Sequence, residues 1–149
     1  VKNYQIKMDL EAELRNGQLF DVVFVDAPCS GSGTWRRKPD LKWKFNEEKL
    51  LANVKDQFNI LNSSKNYVKV GGNLVYVTCS VFDSENDKQI DTFLRNSPNF
   101  KLMPYQGNWL VKNNEIPKSA KSHNPETLLL SPMTNKTDGF FVAILKRFE

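Results

Sequence analysis

Two runs along the chain are apolar with almost no polar alternation: residues 20–25, Phe-Asp-Val-Val-Phe-Val, and residues 73–78, Asn-Leu-Val-Tyr-Val-Thr. Val-, Leu- and aromatic-rich runs of this kind predict strands of a parallel sheet covered on both faces, in which chemistry sits just beyond the carboxyl ends of the strands. Each run leads into a cysteine and a serine, Cys29-Ser30 and Cys79-Ser80, and these are the only two cysteines in the sequence. Neighbouring strands lie about 5 Å apart. If these two pair, Cys29, Cys79 and the strand-terminal Asp26 face a single ligand.

The pattern between and after them completes an α/β order. Asn46 is a helix cap, with Glu47 and Glu48 suited to the positive end of the dipole. Leu50, Leu51, Val54, Phe58, Leu61 and Val68 recur near helical spacing until Gly71-Gly72 supplies the stop. The resulting strand-helix-strand unit predicts parallel pairing of the two cysteine-bearing strands. Ser84 is expected to cap a second helix with Ile90, Phe93 and Leu94 inward, closed by Ser97-Pro98. Residues 100–103 read as another strand, residues 105–126 as a long surface loop, and residues 128–130 and 139–145 as a closing hairpin. Residues 27–45 read as a loop holding Pro28, Gly31, Gly33 and Pro39. Upstream, residues 4–8 read as a short edge strand ending at Asp9.

Length and composition narrow the class. A chain of 149 residues, 40% hydrophobic and 11% aromatic, is expected to form one folded domain, with no apolar run long enough to cross a bilayer. Two cysteines make a poor disulfide framework and no secretory leader is evident, so a reducing cytoplasm fits best. The net charge of +4 favours a polyanionic partner only modestly. Its clustering says more: Arg36, Arg37, Lys38, Lys42 and Lys44 are interleaved with Trp35 and Trp43, a mixture suited to phosphate contact and base stacking. His123, the single histidine, has no recognisable ligand cluster in the sequence, and no metal is expected.

A thiolate adds readily to carbon, and the C6 of a pyrimidine becomes attackable when an acid or donor holds N3; addition turns the inert C5 into an enamine carbon that can attack an electrophilic methyl group. The parts required are a cysteine, a nearby acid and a second thiol or base for elimination, and Cys79, Asp26 and Cys29 are of those types. Four segments then carry a resemblance: residues 26–33 (Asp-Ala-Pro-Cys-Ser-Gly-Ser-Gly), 36–43 (Arg-Arg-Lys-Pro-Asp-Leu-Lys-Trp), 71–80 (Gly-Gly-Asn-Leu-Val-Tyr-Val-Thr-Cys-Ser) with Glu85-Asn86, and 138–143 (Asp-Gly-Phe-Phe-Val-Ala). In this order they resemble the Sun (Fmu) family of RNA cytosine-C5 methyltransferases.

The resemblance implies a Rossmann-like methyltransferase fold with a mostly parallel sheet ending in an antiparallel hairpin. It implies S-adenosylmethionine as methyl donor and a cytosine in RNA, ribosomal more than transfer RNA, as target. By motif, Cys79 corresponds to the nucleophile and Cys29 to the thiol that releases the product. Asp26 corresponds to the residue holding the base edge and bordering the donor, Pro28 and Asp9 to further donor contacts, and Arg36, Arg37, Lys38, Lys42 and Trp43 to an RNA-binding segment. The family's Ala-Pro-Gly-Gly-Lys turn and the ribose-gripping acid that follows it match nothing in these residues. The expectation is therefore the carboxyl-terminal portion of a catalytic domain whose amino-terminal half is a separate segment, with self-association expected at the apolar sheet edge this would leave. The alternatives are an RNA- or partner-binding module without catalysis and a dithiol redox protein; the absence of a Cys-x-x-Cys motif disfavours the second.

Overall fold

The computed structural model describes residues 17–108, 117–120 and 123–149. The expected edge strand at residues 4–8 and the donor contact Asp9 lie outside them. Strand β1 (Phe20–Asp26) leads through a single 3-10 turn into a short helix α1 (Pro39–Lys44) and a long helix α2 (Glu47–Ser64). Strand β2 (Val68–Thr78), helix α3 (Asp87–Arg95), strand β3 (Phe100–Met103), helix α4 (Tyr105–Asn108), strand β4 (Leu128–Leu130), helix α5 (Pro132–Asn135) and strand β5 (Phe140–Arg147) follow.

The sheet order is β1-β2-β5-β3, with β4 also on β5. The cysteine-bearing strands pair in parallel, Val23 beside Leu74 and Asp26 beside Val77, as the strand-helix-strand pattern requires. Strand β5 runs antiparallel to β2, β3 and β4, so the other four strands share one direction and β5 alone opposes them. The expected hairpin is the β4–β5 pair, with α5 inserted in its connection.

The core follows from this register. Val23, Leu74 and Leu145 form one buried row across the sheet, and Val25, Tyr76 and Ala143 the next. Leu61 of α2 and Ile90 and Phe93 of α3 cover them in one cluster. At roughly 1.5–3 kcal/mol per buried large side chain, this layer is the main source of stability. Helices α2 and α3 pack on each other over this core, and among the described residues the expected second layer does not reach β1, whose Val22 and Phe24 on the opposite face are 56% and 58% exposed.

Three boundaries differ from the sequence reading. Helix α2 begins as expected, with the Asn46 side chain accepting the Lys49 amide at 2.9 Å, but it ends at Ser64. Val68 and Gly71-Gly72 belong to β2, where Gly71 adopts φ +81° at an irregularity in the pairing with β1. Glycine supplied a bend within a strand there instead of a helix stop. Helix α3 starts at Asp87 with Asn86 as its cap position, because residues 83–85 form a separate 3-10 turn. The loop 27–45 contains α1, opened by Pro39 at its first position. Among the described residues no helix is long and apolar enough to cross a membrane.

Candidate active site

The parallel pairing of β1 and β2 delivers both cysteines to one rim. The Cys29 and Cys79 Sγ atoms lie 3.2 Å apart, and both thiols are free and partly exposed. The contact polarises the pair. Hydrogen bonding from Cys29 pulls the Cys79 thiol down to about 7 against the opposing effects of burial and of the Asp26 and Glu85 charges. Sharing that proton, together with burial, pushes the Cys29 thiol far up. The ready thiolate is therefore Cys79, with Cys29 as its proton-bearing neighbour. Asp26 and Pro28 stand exposed at the same rim.

Three chain segments are locked around the pair. The Gly33 amide donates to the Cys79 carbonyl at 2.9 Å, and the Gly139 amide donates to the Gly33 carbonyl at 2.9 Å. A Cβ at Gly33 would lie 2.3 Å from the Gly139 carbonyl oxygen, so glycine is needed for this close approach. The serines beside the cysteines interlock as well: Ser80 Oγ is 3.2 Å from Ser30 Oγ and 3.0 Å from Ser32 Oγ, and Ser32 Oγ accepts the Val81 amide at 2.9 Å. Asn86 closes the far side, accepting from Thr78 Oγ1 at 2.7 Å and donating to the Ser80 carbonyl at 2.9 Å.

The cationic segment sits against the third of these segments. Arg37 pairs with Asp138, and Arg36 approaches the same carboxylate at 3.9 Å, so two of the expected RNA contacts also anchor the loop to the start of β5. Lys38 and Lys42 are exposed on and beside α1, and Trp43 is 86% exposed. Trp35 has a different task from Trp43. It packs with Phe45 and Phe82, ring centroids 5.2–5.7 Å apart, as an aromatic support under the loop.

Sequence reasoning gave no role to Gln57 or Ser30 and no sign of the depth of Glu85. Glu85 is fully buried and accepts from the Ser30 amide at 2.8 Å, Ser30 Oγ at 2.5 Å, Gln57 Nε2 at 3.2 Å and Asn53 Nδ2 at 3.4 Å. Its only sequence signal was membership of the Glu-Asn pair after the second cysteine. His123 also departs from expectation: its Nδ1 is 2.9 Å from Asp83, and Asp87 lies nearby. These carboxylates are already satisfied, Asp83 by Lys88 at 3.1 Å and Asp87 by Thr127 Oγ1 at 2.8 Å, and the cluster carries no metal assignment.

Comparison with known proteins places this arrangement. The family model for 16S rRNA methyltransferase RsmB/F matches residues 2–146. Ribosomal RNA small subunit methyltransferase B of Photorhabdus laumondii is 37% identical over 130 residues, 87% of this chain and 27% of that protein. The crystal structure of PH0851 superposes with a TM-score of 0.77 at 36% identity, over 91% of this chain and 28% of that one. NSun6 from Pyrococcus horikoshii with SFG shares the fold, with a TM-score of 0.76 at 23% identity over 97% of this chain and 34% of that one. The chain thus spans about a quarter of the length of the curated relatives it matches, 27% for the Photorhabdus protein.

Proposed function

This chain belongs to the RsmB/F family of 16S rRNA methyltransferases, and we propose that it is the thiol-bearing portion of an S-adenosylmethionine-dependent enzyme that methylates C5 of a cytosine in ribosomal RNA. The observation that carries the proposal is the pair of free, partly exposed thiols at the rim, Cys29 and Cys79, with their sulfurs 3.2 Å apart. Chemistry at a base requires it to leave its stack, so locally single-stranded RNA is the expected substrate.

In this reading the Cys79 thiolate adds to C6 of the cytosine while the Asp26 carboxyl group holds the base edge at N3, and electron density moves to C5. S-adenosylmethionine, when bound, supplies the electrophilic methyl group. Asp26 and Pro28, exposed beside the thiols, fit one border of such a donor; no Gly-rich turn accompanies them among the described residues. The C5 proton then leaves to a solvent base, the Cys79–C6 bond breaks, and the Cys29 thiol beside the departing sulfur stabilises the restored thiolate by its hydrogen bond. Lys38, Lys42 and Trp43 meet phosphates and an unstacked base, with Arg36 and Arg37 sharing their charge between RNA and Asp138. Because the chain covers so little of its relatives' length, the donor site is completed by a segment or partner bearing the Gly-rich turn.

Covalent trapping tests this reading. With ribosomal RNA and S-adenosylmethionine, in the presence of the chain that supplies the donor turn, Cys29→Ala is expected to accumulate an RNA–protein species that survives denaturation. Cys79→Ala is expected to form none and to transfer no methyl groups. The opposite pattern would exchange the roles of the two thiols, and RNA binding without adduct or methylation in any variant would leave a binding module.

A further inference from the structure

Cys29 is held from both sides by one buried network, and that network has its root on the Cys79 side of the site. The residue before it, Pro28, has its carbonyl bound by Gln57 Nε2 at 2.9 Å. The residue after it, Ser30, has both its amide and its hydroxyl bound by Glu85. Gln57 joins the two grips by donating to Glu85 as well, and is itself held by Gln89 Nε2 at 3.2 Å. Only the Cys29 side chain is left over, and it meets Cys79.

The carboxylate is unusual for its surroundings. Glu85 is 0% exposed, and among the described residues no lysine, arginine or histidine pairs with it. A buried charge without a countercharge is costly and persists where several donors satisfy it together. Its own backbone is fixed to the strand that carries Cys79: the Tyr76 hydroxyl donates to the Glu85 carbonyl at 2.8 Å, and the next residue, Asn86, bridges Thr78 and Ser80. Glu85 therefore spans the site, rooted beside β2 and closed on the loop after β1.

We propose that Glu85 is a positioning residue, whose buried carboxylate grips Ser30 and thereby fixes the Cys29 thiol against Cys79. The proposal deepens the methyltransferase reading by naming what sets the geometry of its two thiols. Glu85 is sealed from the rim and touches no reacting atom; it acts through Cys29.

The test reads the Cys79 thiol directly in the 149-residue chain, by its rate of alkylation with iodoacetamide as a function of pH, with peptide mapping to separate the two cysteines. The charged groups facing Cys79 are Cys29 from the loop after β1, Asp26 at the end of β1 and Glu85 after β2. Removing the Glu85 charge, taken alone, would make Cys79 easier to ionise. Loss of the Cys29 contact would make it harder. Glu85→Gln is expected to shift the Cys79 profile to higher pH and to slow alkylation at pH 7 by roughly five- to tenfold, the loss of thiolate being partly offset by its greater nucleophilicity. Cys29→Ala, which removes the donor, should give the same shift, and the double variant no more than either single one, since both act through one contact.

A Glu85→Gln profile that moves to lower pH, or stays in place, in a protein with cooperative unfolding would overturn the proposal. If Glu85→Gln does not fold, Ser30→Ala removes the hydroxyl grip while keeping the charge: a smaller upward shift supports the proposal, and an unchanged profile sinks it. None of these outcomes depends on RNA or methyl transfer. A chain that passes this test and traps no RNA would lose the functional reading while keeping the role of Glu85.

Discussion

The thiol of Cys79 is the residue on which the rate should turn. With its pKa near 7, lowered from the ordinary thiol value by the bond from Cys29, the thiolate fraction rises steeply between pH 6 and 8 and then levels. Adduct formation with RNA is expected to follow the same curve, and in Cys29→Ala to keep rising beyond pH 8; single-turnover trapping across that range would measure it. The cysteines and Asp26 were legible in the sequence because strand-end position is written in the apolar runs that precede them. Glu85 was not, since a glutamate amid Asp83, Ser84 and Asn86 reads as surface and only tertiary packing buries it. Gly33 is the residue most sensitive to size. Gly33→Ala places a Cβ on the backbone of Gly139 and should cost about 1–3 kcal/mol, read from a denaturant midpoint, while separating the motif segments.

Among the elements, α3 and α1 answer to different demands. Helix α3 stands on Phe93 and Ile90, both sealed against β2 and β3, so Phe93→Ala is expected to lower stability by about 3–5 kcal/mol. Helix α1 buries nothing: it is six residues long and presents Lys42 and Trp43 outward. Trp43→Ala should therefore leave the melting temperature unchanged and weaken single-stranded RNA by about 1–3 kcal/mol, measured by fluorescence titration at fixed salt. The periodicity that revealed α2 and α3 was the trace of a buried stripe. It could not reveal α1, which has none, nor tell that Val68, spaced as a helix residue, starts a strand. The Gly71-Gly72 pair was read as punctuation between elements, yet backbone freedom at Gly71 serves a bend inside β2.

At the scale of the molecule, the described residues form a sheet with α2 and α3 packed over one face. The parallel β1–β2 pair was foreseeable, because a helix between two apolar runs leaves little other choice; the second face was not, since uniformly apolar strands look the same whether a second layer covers them or not. With Val22 and Phe24 exposed on that face, sedimentation should show concentration-dependent association of the isolated chain, reduced by Phe24→Lys. Calorimetric titration of S-adenosylmethionine into the same chain is expected to give no saturable heat, and binding would show that the donor site is more complete than Asp26 and Pro28 suggest. The glycine contact at the centre has a kinetic corollary. The Gly139 amide is protected by Gly33, and the Gly33 amide by Cys79, in series. Neither proton can exchange with solvent unless the segments part, so the two amides should exchange at one common rate, and that rate times how often the cysteines come apart as a pair.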